Sequence, residues 1–214
     1  MNLNIEHGKY LVVTEWETKK DNRQHSLDVW NNSNAKTTLS KNKVVTYKGI
    51  SKNSIVFLYE VTSFDEIQRF LESDEFDEFR NANSQFMDSD FHQSIVGKVE
   101  EVRPRNTFVP QTKYMQLRSI EVPFSDIDSY LAWRKERIFK FVKKNDKVDS
   151  FLAFHSVFST EPGVLFVTEY SGDPEEYRNS FLTPEYQQII KEAGHDHIKS
   201  GEKGLMTFEY ERAD

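Results

Sequence analysis

The chain has 214 residues, a formal net charge of −7 and no cysteine. Without cysteine there are no disulfides, no thiolate catalysis and no Cys-ligated zinc or iron–sulfur centre. An excess of 35 Asp plus Glu over 28 Lys plus Arg argues against a nucleic-acid partner or an anionic-membrane surface, both of which need basic patches. Aromatic residues make up 14% of the chain, enough large apolar side chains to argue against disorder. The opening MNLNIEHGKY has no apolar signal core and no stretch approaches a membrane span, so a cytoplasmic location is expected.

Tyr10–Glu17 (YLVVTEWE) is apolar and β-branched, which predicts a strand. A short helix is expected around Ser26–Asn32, carrying Leu27 and Trp30, and the Asn/Ser/Thr/Lys-rich stretch Asn31–Lys43 reads as a surface loop. Val44–Ile50 and Ser54–Val61 form an expected strand pair, followed by a helix over Phe64–Arg80 with a break near Ser73-Asp74. Ile95–Arg103 is the fourth strand, and the proline-containing stretch after it reads as a linker. Tyr114–Val122 then predicts a strand, with Ser125 as the N-cap of a helix whose apolar stripe has one long polar interruption. Strands over Val148–Ser159 and Val164–Tyr170 come next. A helix should start at Pro174, kink or restart at Pro184 and end at Gly194, before a last strand over Leu205–Arg212.

The second half rewrites the first. Lys9, Tyr10 and Glu17 recur at one constant offset as Lys113, Tyr114 and Glu121, and Ser26 and Trp30 as Ser129 and Trp133. Ile55–Phe79 returns as Val164–Ile189, matching Phe57 with Phe166, Glu60 with Glu169 and Phe76 with Tyr186. Glu100 and Arg103 return as Glu209 and Arg212. Matches inside elements and small length changes at turns are what a duplicated unit of about 105 residues leaves behind. The expected organisation is a first repeat over 1–104, a linker over 105–112 and a second repeat over 113–214. Each repeat is small enough to be marginal alone, so the two should share a core.

Each repeat runs strand, helix, strand, strand, helix, strand, the ferredoxin-like layout. In the second helix of each, an apolar residue precedes [Ser/Thr]-[Asp/Pro]-Glu-[Phe/Tyr], present as Leu71-Glu72-Ser73-Asp74-Glu75-Phe76 and Phe181-Leu182-Thr183-Pro184-Glu185-Tyr186. Together these resemble the dimeric α/β-barrel superfamily, which includes antibiotic-biosynthesis-monooxygenase-like, EthD-like and stress-responsive barrel domains. The resemblance implies an α+β chain whose two tandem repeats pair antiparallel sheets into a barrel within one polypeptide, with helices outside. It implies a cofactor-independent monooxygenase-like enzyme acting on a small aromatic or polyketide-like molecule, or a non-catalytic ligand-binding or stress-associated barrel. Haem binding or degradation is a third implied possibility, and homo-oligomers are another. No catalytic residue carries over, because these families use different residues on one frame.

The residues themselves offer a few candidates. His155 lies in the apolar strand FLAFHSVF, where it could act as a base, ligate haem iron or orient a phenol, or be a core histidine bonded to backbone. Tyr170 ends the following strand on the face of Phe166 and could donate to a substrate carbonyl or enolate. Trp133 could wall a planar ligand or plug a helix onto the sheet. Glu60 and Glu169 follow apolar runs, which fits an acid/base pair or strand-end ion pairs, for instance with Arg118 or Lys98. His195-Asp196-His197, with Glu192, could hold a metal or lie on the surface. Catalytic roles are expected of His155 and Tyr170, and ligand contacts of Trp133, Phe166 and Glu169, in a pocket between sheet and helices of the second repeat. No phosphate loop, Gly-x-Ser-x-Gly elbow or His-Glu-x-x-His pair is present.

Overall fold

The computed structural model describes residues 4–158, 163–201 and 203–214, so Ser159, the end of one expected strand, lies outside them. Strands β1 (Tyr10–Glu17), β2 (Val45–Gly49), β3 (Ser54–Val61) and β4 (His92–Arg103) belong to the first repeat; β5 (Tyr114–Ile120), β6 (Ser150–Phe158), β7 (Val164–Tyr170) and β8 (Leu205–Arg212) belong to the second. All pairings are antiparallel, and the strands close in the order β1-β3-β2-β8-β5-β7-β6-β4. Within each repeat the order is the ferredoxin-like one. The third strand always pairs with the first and second, and the two sheets close on each other through β2–β8 and β4–β6. Closure removes the free strand edges that each sheet would otherwise present.

Alternation along the strands sorts side chains to two sides. Inward residues such as Leu11, Val13, Val56, Leu58, Met115, Leu117, Leu165 and Val167 fill the barrel, whose small bore side chains can occupy. Outward residues meet the helices in two separate cores. The first-repeat core gathers Trp16, Trp30, Phe57, Phe70, Phe76 and Phe79. The second-repeat core gathers Phe139, Phe151, Phe166, Tyr170, Tyr177 and Tyr186.

Several sequence expectations need correction. The stretch Asn31–Lys43 is not an open loop. After helix α1 (Arg23–Asn31), Ser33 accepts a hydrogen bond from the Lys36 amide at 3.1 Å and starts helix α2 (Asn34–Thr38). Ala35 and Leu39, one helical turn apart, are buried, and their signal is diluted by polar neighbours. Ser125 is not an N-cap: a 3₁₀ turn, Phe124–Asp126, precedes α5 (Ile127–Arg134). The polar interruption in that helix is a π-helical turn, Lys135–Phe139, followed by α6 (Lys140–Lys144). The wider turn keeps Ile138, Phe139 and Val142 facing the sheet despite the inserted charged residues. Gly194 does not end its helix, which runs on to Asp196.

The four-residue motif of the second helices has a plain physical role. Helices α3 (Phe64–Leu71) and α4 (Asp74–Asn83) in the first repeat, and α7 (Pro174–Ser180) and α8 (Pro184–Asp196) in the second, are separate. Ser73 and Thr183 are the N-caps of α4 and α8, accepting from the amides of Phe76 and Tyr186 at 3.2 Å each. The capped first turn directs each aromatic ring inward, where both are buried.

The expected linker is built into the barrel. Val109 is fully buried and Phe108 nearly so, its ring edge-on to Phe154 inside the barrel at 5.7 Å. The segment is held by Glu169, which accepts from Arg105 and from the amides of Gln111 and Thr112. A carboxylate on the inward face thus has its charge neutralised and its oxygens hydrogen-bonded, which a buried ion requires. Its partner is Arg105, and neither Arg118 nor Lys98. Glu60, its counterpart in the first repeat, pairs with Lys9 at 3.5 Å and Lys43 at 3.7 Å.

Candidate functional site

Three concavities differ in chemistry. The first is a groove of about 720 Å³ in the first repeat, between α3 and strands β1 and β4, walled by Val12, Ile67, Leu71 and Ile95. The second, of about 570 Å³, is the barrel mouth opposite the linker. There Lys52 sits 2.6 Å from a Glu15 oxygen that also accepts from the Tyr210 hydroxyl at 2.8 Å. The third, of about 460 Å³, lies in the second repeat between β5 and α7, and Gln116, Arg118, Tyr177 and Phe181 line it.

The first and third are the same place in the two repeats. The offset that maps Tyr10 to Tyr114 maps Val12 to Gln116 and Thr14 to Arg118, and the sheet agrees, since Thr14 lies opposite Phe57 as Arg118 lies opposite Phe166. On the helix side, Ile67 and Leu71 correspond to Tyr177 and Phe181. The two grooves differ in chemistry. Where the first repeat presents the aliphatic Val12, Ile67 and Leu71, the matching positions of the second present an amide, a phenol and a phenyl ring, with a guanidinium beside them.

The polar cluster is tightly organised. Arg118 is 8% exposed. Its Nη1 donates to the Tyr186 hydroxyl, and its Nη2 donates to Gln116 Oε1 at 2.9 Å. The Tyr177 hydroxyl donates to the same Gln116 oxygen at 3.1 Å. The guanidinium carbon lies 5.6 Å from the ring centre of Phe181 and 5.7 Å from that of Tyr186, within cation–π range. Burial pushes the Tyr177 hydroxyl above the usual phenol range, so it stays a proton donor at neutral pH. At the exposed rim, Arg178 pairs with Glu209 at 2.8 Å, and Glu175 stands in solvent.

None of the five residues expected at a site lines this groove, though two support it. Tyr170 stacks flat on Tyr177, with centroids 3.8 Å apart, and donates to Glu209 at 3.3 Å. Phe166 lies on the adjacent strand directly opposite Arg118. The other three stand elsewhere. Trp133 donates to Glu192 at 3.1 Å and lies against the His197 ring. Glu169 holds the linker. His155 is half-buried beside Val164, its Nδ1 3.0 Å from the Ser156 carbonyl oxygen, and burial lowers its pKa below the usual imidazole value. It lines none of the three concavities, and its outward face is shared with the buried Phe151 and Ala153. Glu192, considered as a third ligand for His195 and His197, is instead gripped by the Arg137 guanidinium through two 2.9 Å bonds, which help hold its pKa at about 2. Among the described residues no three His, Asp or Glu side chains converge as a metal site.

Sequence reading gave Arg118 only an ion-pair role and gave Gln116, Tyr177 and Phe181 no site role. The available signal was an arginine inside the strand YMQLRSI at a position where the first repeat has threonine.

The eight-stranded closed barrel, with ferredoxin-like strand order in each half, is the fold of the dimeric α/β-barrel superfamily, realised here within one chain. No family model matches the sequence, and no curated protein matches it. Solved structures do match in fold. An anthrone oxidase-like protein superposes with a TM-score of 0.71 at 9% identity, covering 98% of this chain and 93% of its own. A presumptive monooxygenase from Fusobacterium nucleatum gives 0.67 at 9% identity, over 97% and 94%. A chlorite dismutase from Candidatus Nitrospira defluvii, in complex with imidazole, gives 0.59 at 12% identity, over 96% and 92%. No helix is long and apolar enough to cross a membrane among the described residues.

Proposed function

We propose that the chain is a monooxygenase-like enzyme whose reaction takes place in the second-repeat groove, on a small aromatic or polyketide-like molecule. One observation carries this reading: the groove between β5 and α7 combines aromatic walls, Tyr177 and Phe181, with buried hydrogen-bond donors. Aromatic walls suit a planar body, and donors in a water-poor site stabilise negative charge on a substrate oxygen. An electron-rich substrate that can form an enolate or phenolate reduces O₂ itself. One oxygen atom joins the activated carbon, and the other leaves as water with two hydrogens from that carbon. The protein's part is to bind the ring, hold the developing oxyanion and exclude solvent. Fold neighbours described as monooxygenase and anthrone oxidase-like support the reaction class.

Among the described residues no histidine lines the groove, and Glu175 at the rim is the one lining carboxylate. That favours a second reading, a barrel that binds its ligand without turning it over. Oxygen uptake separates the two. With anthrone and with a panel of hydroquinones, the enzyme reading expects protein-dependent O₂ consumption that Tyr177→Ala reduces about tenfold or more, the weight of a positioned donor and ring together. Saturable binding with no oxygen uptake would establish the binding reading instead. A third reading, haem binding through His155, would be established by a Soret band on adding hemin that His155→Ala abolishes, and its absence would remove that reading.

A further inference from the structure

We infer that the second-repeat groove is a receptor for an organic anion, with Arg118 as the residue that binds its charged oxygen. The inference concerns the ligand of the site proposed above, and rests on that location without needing turnover.

Arg118 is a cation taken out of water without a counter-ion. It is more than nine-tenths buried, and among the described residues no carboxylate lies within ion-pair distance of it. Its partners are neutral: the Tyr186 hydroxyl and the Gln116 amide oxygen. Its Nε, buried, has no hydrogen-bond acceptor at all. Burying a charge this way is costly unless it is paired, so an unpaired guanidinium beside a cavity points to an anionic ligand. The comparison within the chain is direct. Of the other buried arginines, Arg105 on the linker is neutralised by Glu169 and Arg134 is packed over the rings of Tyr130 and Phe139, whereas Arg118 lines an open groove. The first repeat has Thr14 at the matching position, and neither arginine nor lysine lines its groove.

The groove also sets the shape of the guest. Tyr177 and Phe181 line it beside the guanidinium, which suits an aromatic body with its anionic oxygen at the inner end. A planar carboxylate can engage a guanidinium through two parallel bonds, and a phenolate through one.

The test is calorimetric titration of the full chain with 2-naphthoate, its neutral isostere 2-naphthamide, and 2-naphthol across the naphthol pKa. Naphthoate is expected to bind about tenfold or more tightly than the amide, the usual advantage of a charge-assisted bond over a neutral one. Arg118→Met should erase that difference. Naphthol gaining affinity only as it ionises would identify phenolates as guests too. Equal affinity for naphthoate and naphthamide, or a preference unchanged in Arg118→Met, overturns the inference. Thermal unfolding of the ligand-free variant is the second readout. An uncompensated binding arginine predicts an unchanged or raised Tm for Arg118→Met, while a large fall in Tm assigns Arg118 to stability alone. Anion binding without oxygen uptake sinks only the oxygenase reading; oxygen uptake with no anion preference sinks only this one.

Discussion

His155 shows how a single residue's environment decides its role. It sits in an apolar strand, but its ring is half-buried, close to a backbone carbonyl, and away from every concavity described. Burial, the largest influence, lowers its pKa below 6.5 in the folded state. The unfolded chain therefore takes up this proton first as pH falls. The contribution to stability is complete above the unfolded pKa and is lost as pH drops from there through the folded pKa. Urea midpoints measured at steps from pH 7.5 to 5.5 should fall less in His155→Gln than in the parent, and equal slopes would remove this residue from the pH response. Arg118 and Arg105 make the complementary point: two buried guanidiniums of similar exposure, one neutralised and one not, are indistinguishable by composition.

At the scale of elements, the segment between the repeats differs most from its reading. Prolines and polar residues suggest a spacer, yet Phe108 and Val109 enter the barrel and Glu169 fastens the backbone behind them. Phe108→Ala removes a ring packed on Phe154, which should cost about 3 kcal/mol, in the range for emptying an aromatic core position. Chemical denaturation measures it, and a loss below about 0.5 kcal/mol, the size of an ordinary surface change, would show that the segment merely lies over the barrel. The second-helix motif worked in the opposite direction. Its Ser73 and Thr183 were legible as a repeated pattern, and the structure supplies the reason, a capping hydroxyl that aims Phe76 and Tyr186 at the sheet. The π-helical turn was legible only as an apolar stripe broken by charges, since which turn widens depends on what the stripe must meet.

For the whole molecule, closure is the governing fact. Each repeat alone exposes an apolar inner sheet face and two edge strands, β2 and β4 in one, β6 and β8 in the other. Residues 1–112 and 113–214, produced together as separate chains, should therefore associate one to one, while either half alone should self-associate or aggregate. Size-exclusion chromatography with light scattering decides it; two stable, independent monomers would mean that the shared core contributes little. The two repeats have also diverged by role. Trp30 is fully buried, stacked on Phe57 at 4.2 Å, while Trp133, its counterpart, reaches a surface carboxylate. The first-repeat groove is mainly apolar, and the second carries the polar cluster.

The sequence by itself determined the duplication, the strand–helix order of each unit and hence the α+β barrel. These depend on local periodicity and on matches such as Tyr10 with Tyr114 and Phe57 with Phe166, which survive in the chain as written. It also contained the key position, since the same alignment sets Arg118 against Thr14. The meaning of that position was decided by tertiary structure. Whether a charged side chain has a counter-ion depends on which distant residues reach it: Glu169 turned inward to Arg105, while Arg118 on the outer face met only Tyr186 and Gln116 beside an open groove. Pairing of buried charges is a property of three-dimensional neighbourhoods, and no spacing along the chain encodes it.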